Sequence, residues 1–261
     1  MLRFTDDLLQ EPRTKILDVR TQLKHFALIN YAIPVERVRP HVDARFELDA
    51  YQAEDGKSYV WVSVVPFEDV QFHFVNFRWL QFHFGQTNYR TYIIDRQTGE
   101  RGVWFFGTVL GGWPVIIPRY IWRLPWHYGK IRFDCVYDTH AQRYSRYQLS
   151  TDSDWANLEL ELEDTGKPIS KLKDVEDLED GLVRLTHPLL GVYYRNDGTL
   201  GQYRVWHDRL HCTEGQVKQA KFNLLMRLGL FKHEEEALQP HSVFIQHQTE
   251  FIIQLPPQSL P

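Results

Sequence analysis

The stretch from Gln86 to Cys135, QTNYRTYIIDRQTGERGVWFFGTVLGGWPVIIPRYIWRLPWHYGKIRFDC, decides how the chain is read. It runs as strand, polar turn, strand, short helix and strand, and it mixes aromatics with internal charges more densely than any other segment. In its first strand Asn88, Arg90, Tyr92 and Ile94 share one face, and Tyr89, Thr91 and Ile93 the other, because successive side chains point to opposite sides. A cation in the middle of such a strand is costly to bury without a partner. Arg90 therefore either sits on a solvated face or aims into a polar cavity.

Downstream of that strand, Thr98-Gly99 marks a turn and Gly102–Leu110 a returning strand that ends at Gly111-Gly112. Trp113–Arg123 reads as a short helix, with Pro114 at its start and Pro125 past its end, and Arg119 and Arg123 reaching solvent or capping carbonyls. Gly129–Asp138 and Arg143–Ser150 form a hairpin, and Trp155–Glu163 alternates between an apolar and an acidic face. Asp174–Leu185 has helical spacing. Leu190–Arg195 and Leu200–His207 flank the turn Asn196-Asp197-Gly198 as a hairpin. Thr213 is expected to cap a helix ending at Gly229, and Ser242–Gln254 closes the chain as a strand.

Upstream, the first eighteen residues form an arm or short helix. Gln22–Ala32 is expected to be a strand buried on both sides, with Leu23, His25, Ala27, Ile29 and Tyr31 on one face. Pro34 opens a short helix that Pro40 limits. Phe46–Tyr51, the Asp55-Gly56 turn and Ser58–Pro66 follow as strand, turn and strand. Gln71-Phe72-His73-Phe74 recurs as Gln81-Phe82-His83-Phe84, and the segment is expected to be an aromatic loop over a barrel mouth. His73 and His83 lack the neighbouring ligands a metal needs, and no metal or cofactor is expected. Strands dominate, no linker divides residues 1–261, and one β-rich domain is expected.

A formal net charge of −4 over 261 residues excludes a basic nucleic-acid footprint. Cys135 and Cys212 are too few for a disulfide framework and are expected as reduced thiols. The N-terminus has no apolar signal core, and the apolar runs are too short and too broken by Gly and Pro to span a bilayer. A cytoplasmic protein is expected, without nucleic-acid or membrane partners and with homo-oligomerisation left open. Aromatics make up 14% of the chain, including eight Trp, which suits sheets around a broad interior.

Several segments occur in one order over nearly the whole length. They include Asn30-Tyr31 with Pro34, Phe46-Glu47-Leu48-Asp49, Val64-Val65-Pro66-Phe67 and Asn88-Tyr89-Arg90-Thr91-Tyr92. After these come Gly102-Val103-Trp104-Phe105-Phe106, Arg123-Leu124-Pro125-Trp126-His127 and the Tyr194…Gly198…His207 hairpin. In this set the chain resembles the YqjF-like family of unknown function, related to the acetoacetate decarboxylase-like fold. The resemblance implies a mainly β (α+β) architecture: an antiparallel β-barrel with added strands, a few short helices and an internal small-molecule cavity. The decarboxylase relative works through a Schiff-base lysine, whose pKa must be lowered by burial or a second cation. The matching place here is Leu124-Pro125-Trp126-His127, which has no lysine. Lys130 follows, and shares a strand face with Arg132. Family members often carry a glutamate where this chain has Gln86, which can hydrogen bond but cannot exchange protons usefully.

The expected ligand-binding set is Gln86, Asn88, Arg90, Tyr92, Trp104 and Trp126, around a carboxylate- or carbonyl-bearing ligand. Arg90 is its anchor, because a guanidinium clamps a carboxylate through two parallel hydrogen bonds; the competing reading is an Arg that pairs inside the core to fix the barrel. An enzymatic alternative, a lyase of the decarboxylase-like class, would use His127 as acid/base or Lys130 as the amine. Trp206-His207-Asp208 lacks a nucleophilic serine in the right setting, and His233-Glu234-Glu235-Glu236 lacks the second histidine of a zinc-protease motif.

Overall fold

The computed structural model describes residues 1–112 and 124–260. Its strands, in chain order, are β1 (Val19–Pro34), β2 (Phe46–Leu48), β3 (Tyr51–Gln52), β4 (Ser58–Phe74), β5 (Phe82–Asp95), β6 (Arg101–Leu110) and β7 (Trp126–Tyr128). They continue with β8 (Lys130–Asp138), β9 (Arg143–Asp152), β10 (Leu158–Pro168), β11 (Leu190–Tyr194), β12 (Leu200–Trp206), β13 (Thr213–Phe222) and β14 (Ser242–Ser259). Short helices punctuate them: α1 (Asp6–Leu9), α2 (Val35–Val38), α3 (Leu178–Thr186) and α4 (Asn223–Arg227). The expected helix over Trp113–Arg123, with Arg119 and Arg123, lies outside the described residues.

Seven strands pair in the order β1-β4-β5-β6-β11-β12-β14, and β14 returns to β1, which closes a barrel. Its neighbours are antiparallel except β6 and β11, which run parallel. From β14 the sheet continues outward through β13, β10, β9 and β8. This extension packs its Tyr147, Leu149, Leu160 and Phe222 against the outer face of the barrel, where Ile29, Val62, Val64 and Tyr89 are fully buried. A second cluster fills part of the barrel interior, with Leu23, Phe26, Trp61, Phe67, Tyr92 and Phe105. Val60, Val62 and Val64 thus face outward and Trp61, Ser63 and Val65 inward, as the period of two in β4 dictates.

β1 does not keep one face along its length. His25 sits at φ +52°, and the pairing with β4 jumps from Lys24↔Glu68 to Ile29↔Val64. Beyond this bulge Phe26 points inward like Leu23, while Ala27 and Ile29 point to the outer core. The expected face of Leu23, His25, Ala27 and Ile29 is therefore broken at His25. The same gap in the ladder accommodates Pro66, which has no N–H to donate, so β4 runs on to Phe74 rather than ending at the proline. The aromatic repeat is consequently strand, not loop: Phe72 pairs with Phe82 at the end of the β4–β5 hairpin.

The helix expected from Thr213 is a strand up to Phe222, and only Asn223–Arg227 is helical. Gly215, Ala220 and Phe222 are buried along it while Gln216, Lys218 and Lys221 are exposed. Pairing with β10 over Leu158↔Phe222 to Pro168↔Thr213 outweighs the residues' modest helical preference. Helix α3 begins later than expected, at Leu178, because Asp177 caps it by accepting from the Asp180 amide at 2.9 Å.

Helix α3 is held against one end of the barrel by Arg184, which donates to the buried Asp49 carboxylate at 2.7 and 3.2 Å and lies 4.7 Å from the Trp61 ring centroid. Arg101 reaches the same carboxylate at 3.4 Å from a more exposed position. Removing one partner of a buried pair strands the other charge. Asp49→Ala is expected to lower the stability measured by urea unfolding by about 3–5 kcal/mol, and Arg101→Ala by under about 1 kcal/mol. Equal losses would mean that Arg184 does not depend on Asp49.

Candidate functional site

Inside the barrel lies a cavity of about 300 Å³, walled mainly by Leu23, Phe26, Val65, Phe67, Phe84 and Phe105. Gly191 of β11 lines it too: a Cβ there would come within 2.7 Å of the Phe105 ring, so the close approach of β11 and β6 needs a glycine. The polar residues on the wall are Thr21, Asp69, Gln86, Asn88, Arg90, Thr186, Tyr203 and His207.

Arg90 projects inward from β5, level with Ser63 of β4. Its Nη2 donates to the Leu185 carbonyl of α3 at 3.2 Å, and its guanidinium lies 5.6 Å from the Tyr92 ring centroid. Its Nε is buried without a hydrogen bond, and no carboxylate pairs with it among the described residues. Tyr92 stands behind it, its hydroxyl 3.1 Å from Leu185 O and sharing a 2.8 Å hydrogen bond with Ser63, whose hydroxyl lies 2.6 Å from the Asn30 side-chain carbonyl. Further along β5, the Asn88 side-chain carbonyl accepts from Gln86 Nε2 and from the Thr108 hydroxyl, both at 2.8 Å. That pair is a fixed amide ledge on the cavity wall.

His207 sits at the Arg90 end, 2% exposed, with Nδ1 donating to the Asp208 carbonyl at 2.8 Å and its ring stacked on Phe251 at 4.3 Å. Burial, with the positive charge of Arg90 adding to it, pushes the imidazole down to about 4. The neighbouring His187, 4.3 Å away between ring centroids, is pushed down to about 3 by burial and by His207. Toward the other end Asp69 is 2% exposed; its Oδ1 accepts from the Thr21 hydroxyl at 2.9 Å and its Oδ2 has no partner. Burial pushes this carboxyl up to about 7, against the opposing pull of the Thr21 hydrogen bond.

Of the residues expected from the sequence, Gln86, Asn88, Arg90 and Trp126 line the cavity. Tyr92 supports Arg90 from below rather than forming the wall. Trp104 is on the opposite side of β6, packed with Phe46 at 5.8 Å and Tyr194 at 4.8 Å between ring centroids, because its position in the strand alternates with Val103 and Phe105. His127 alternates with Trp126 in the same way and stacks on Trp155 at 4.1 Å outside the barrel. Lys130 is exposed on β8 and shares a surface groove with Arg132 in the outer sheet. Neither residue of the enzymatic alternative reaches the cavity. Asp69, Thr21 and Tyr203 were not anticipated, yet Asp69 continues the inward series Trp61, Ser63, Val65 and Phe67 by simple alternation. The period carries past Pro66 only because of the bulge. Cys135 and Cys212 are free thiols.

A closed seven-stranded barrel with an outer sheet, short helices and an internal cavity is the architecture of the acetoacetate decarboxylase-like proteins. An acetoacetate decarboxylase-like enzyme from Sphingomonas wittichii RW1 superposes with a TM-score of 0.58 at 11% identity, covering 95% of this chain and 94% of its own. Acetoacetate decarboxylase from Legionella pneumophila gives 0.56 at 12% identity, with 96% and 92% covered. The enduracididine biosynthesis enzyme MppR complexed with pyruvate gives 0.54 at 10%, again with 96% and 92%. At these identities the likeness is one of fold. The chain belongs to the DUF2071 family of uncharacterised conserved proteins (COG2071), whose model matches residues 20–248. No curated protein matches it in sequence. Among the described residues no helix is long and apolar enough to cross a membrane.

The buried histidines make stability pH-dependent. Their folded pKa values lie below the ordinary 6.5, so between about pH 6.5 and 4 the unfolded chain binds protons that the folded chain refuses. Asp69 acts in the opposite sense, losing its contribution as pH rises from about 4 to 7. The urea midpoint is expected to fall as pH is lowered from 6.5 to 4, with His207 contributing on the order of 3 kcal/mol. His207→Gln is expected to flatten that decline. An unchanged slope would mean that His207 protonates freely in the folded chain.

Proposed function

We propose that the protein binds a small carboxylate- or carbonyl-bearing molecule inside the barrel, with Arg90 as its anchor. One observation carries the reading: a guanidinium with a buried, unpartnered Nε on the wall of a largely apolar cavity. A buried cation without a counter-ion is unfavourable. A ligand carboxylate would supply the missing charge and satisfy Nε, in the side-on geometry that arginine favours. The Gln86–Asn88 ledge offers amide groups for a second ligand oxygen. Support by analogy comes from MppR, a neighbour in fold that holds pyruvate, itself a carboxylate.

The Schiff-base alternative has less support. No lysine is among the described lining residues, and residues 113–123 contain none. Incubation with acetoacetate or pyruvate and borohydride is therefore expected to leave the intact mass unchanged; a reduced adduct mapped to Lys130 would reinstate the amine mechanism. For the binding reading, short and medium-chain carboxylates are expected to raise the melting temperature. Arg90→Ala should weaken their binding by about ten- to a hundredfold, the equivalent of 1.5–3 kcal/mol for a charge-assisted hydrogen bond. Equal affinity in the variant would remove Arg90 from the site.

A further inference from the structure

We propose that Asp69 is a second, hydrogen-bond-donating pole of the cavity, so that the ligand carries a carbonyl or ether oxygen at the end remote from its carboxylate. This rests on the reading of Arg90 as the carboxylate anchor and specifies the class of molecule that anchor receives.

The two groups stand at different levels of the barrel. Arg90 is level with Ser63 and Asp69 with Phe84, so six residues of β4 separate them, roughly 20 Å of strand. Both side chains face the same cavity, and the wall between them is mainly apolar, with Val65, Phe67 and Phe105, apart from the Gln86–Asn88 ledge of β5. Tyr203, across the barrel on β12, lines the same cavity within electrostatic reach of both groups. A ligand touching both poles is therefore elongated, with an apolar body.

The protonation of Asp69 follows from its surroundings. Among the described residues no cation lies near it, and its one hydrogen bond there is from Thr21. A carboxyl buried in an apolar wall without a cation favours the neutral form, and burial pushes this one up to about 7. The oxygen that accepts from Thr21 is then the carbonyl oxygen, and the unpartnered Oδ2 carries the proton. An O–H on the cavity wall with no acceptor of its own selects a ligand oxygen. An ammonium is disfavoured, since pairing it there would mean desolvating two charges to gain one contact.

The poles lie six strand positions apart, and an elongated ten-carbon chain is the probe of that span. The test measures binding of decanoate, 9-oxodecanoate and 10-aminodecanoate by titration calorimetry to the wild type, Asp69→Asn, Asp69→Leu and Arg90→Ala, each checked by circular dichroism. The wild type is expected to bind 9-oxodecanoate about tenfold more tightly than decanoate and to reject the amine. Asp69→Asn keeps a donor and should keep most of the preference for the ketone; Asp69→Leu should bind decanoate and 9-oxodecanoate equally. Arg90→Ala should weaken both acids alike. A ketone preference that survives in a folded Asp69→Leu overturns the proposal while leaving the Arg90 anchor intact. A preference for the amine that is lost in Asp69→Asn overturns it in favour of an ionised Asp69. Wild-type binding of pyruvate or acetoacetate but of no ten-carbon acid overturns the two-pole cavity alone, and indifference of every acid to Arg90→Ala overturns the anchor as well.

Discussion

A ring of seven strands cannot alternate direction all the way round, so one seam has to be parallel. Here it is β6 beside β11, and a parallel seam cannot be joined by a tight turn. The chain between Gly111 and Leu189 must leave the barrel and return, and it uses that excursion to build the three strands β8, β9 and β10. These, with β13, cover the barrel's outer face and bury Ile29, Val62, Val64 and Tyr89. Much of the apolar burial that stabilises the fold is therefore outside the ring. The interior is not obliged to be a filled hydrophobic core, and it can keep a cavity and a few costly polar side chains.

Those side chains are arranged with their liabilities contained. Arg90 spends one nitrogen on the Leu185 carbonyl, and Tyr92 leans on the same oxygen. The position of that carbonyl depends on α3, and α3 is tied down by Arg184 on Asp49. A salt bridge at the edge of the barrel thus governs the geometry at its centre. His207 and His187 stay neutral beside the guanidinium, adding no second positive charge that would weaken its attraction for an anion. Among the described residues Asp69 has only a threonine hydroxyl for company, and it is far enough from Arg90 along β4 that the two do not neutralise each other.

Regular alternation was readable from the sequence wherever the backbone stayed regular. The inward face of Asn88, Arg90 and Tyr92, the split of β4 into Val60-Val62-Val64 against Trp61-Ser63-Val65, and the Asn196-Asp197-Gly198 hairpin all follow from a period of two and from turn chemistry. Irregularity was not readable. Nothing local announces that His25 adopts a positive φ, yet that residue reverses the faces of β1 and makes room for Pro66. The stretch from Thr213 reads as a helix because Thr213 and Gly229 suit its two ends, whereas the ladder with β10 that decides the matter is made by distant residues. The site divides along the same line. Gln86, Asn88, Arg90 and Trp126 reach the cavity, while Trp104 and His127 stand one residue out of phase with Phe105 and Trp126. Lys130 was assigned by its place in the chain after Pro125, and the chain there has already crossed into the outer sheet. Asp69 was hidden because a proline usually ends a strand.

The central claim is that a carboxylate settles on Arg90 inside the barrel. Arginine-selective NMR of the Nε–Hε group reads that contact directly, with Arg90→Lys used to assign the resonance. On addition of decanoate the Arg90 Hε signal is expected to move downfield and exchange more slowly with water, as its unpartnered nitrogen acquires a charged acceptor. An Arg90 signal that stays fixed while decanoate binds, or a shift confined to a surface arginine such as Arg132, would contradict it.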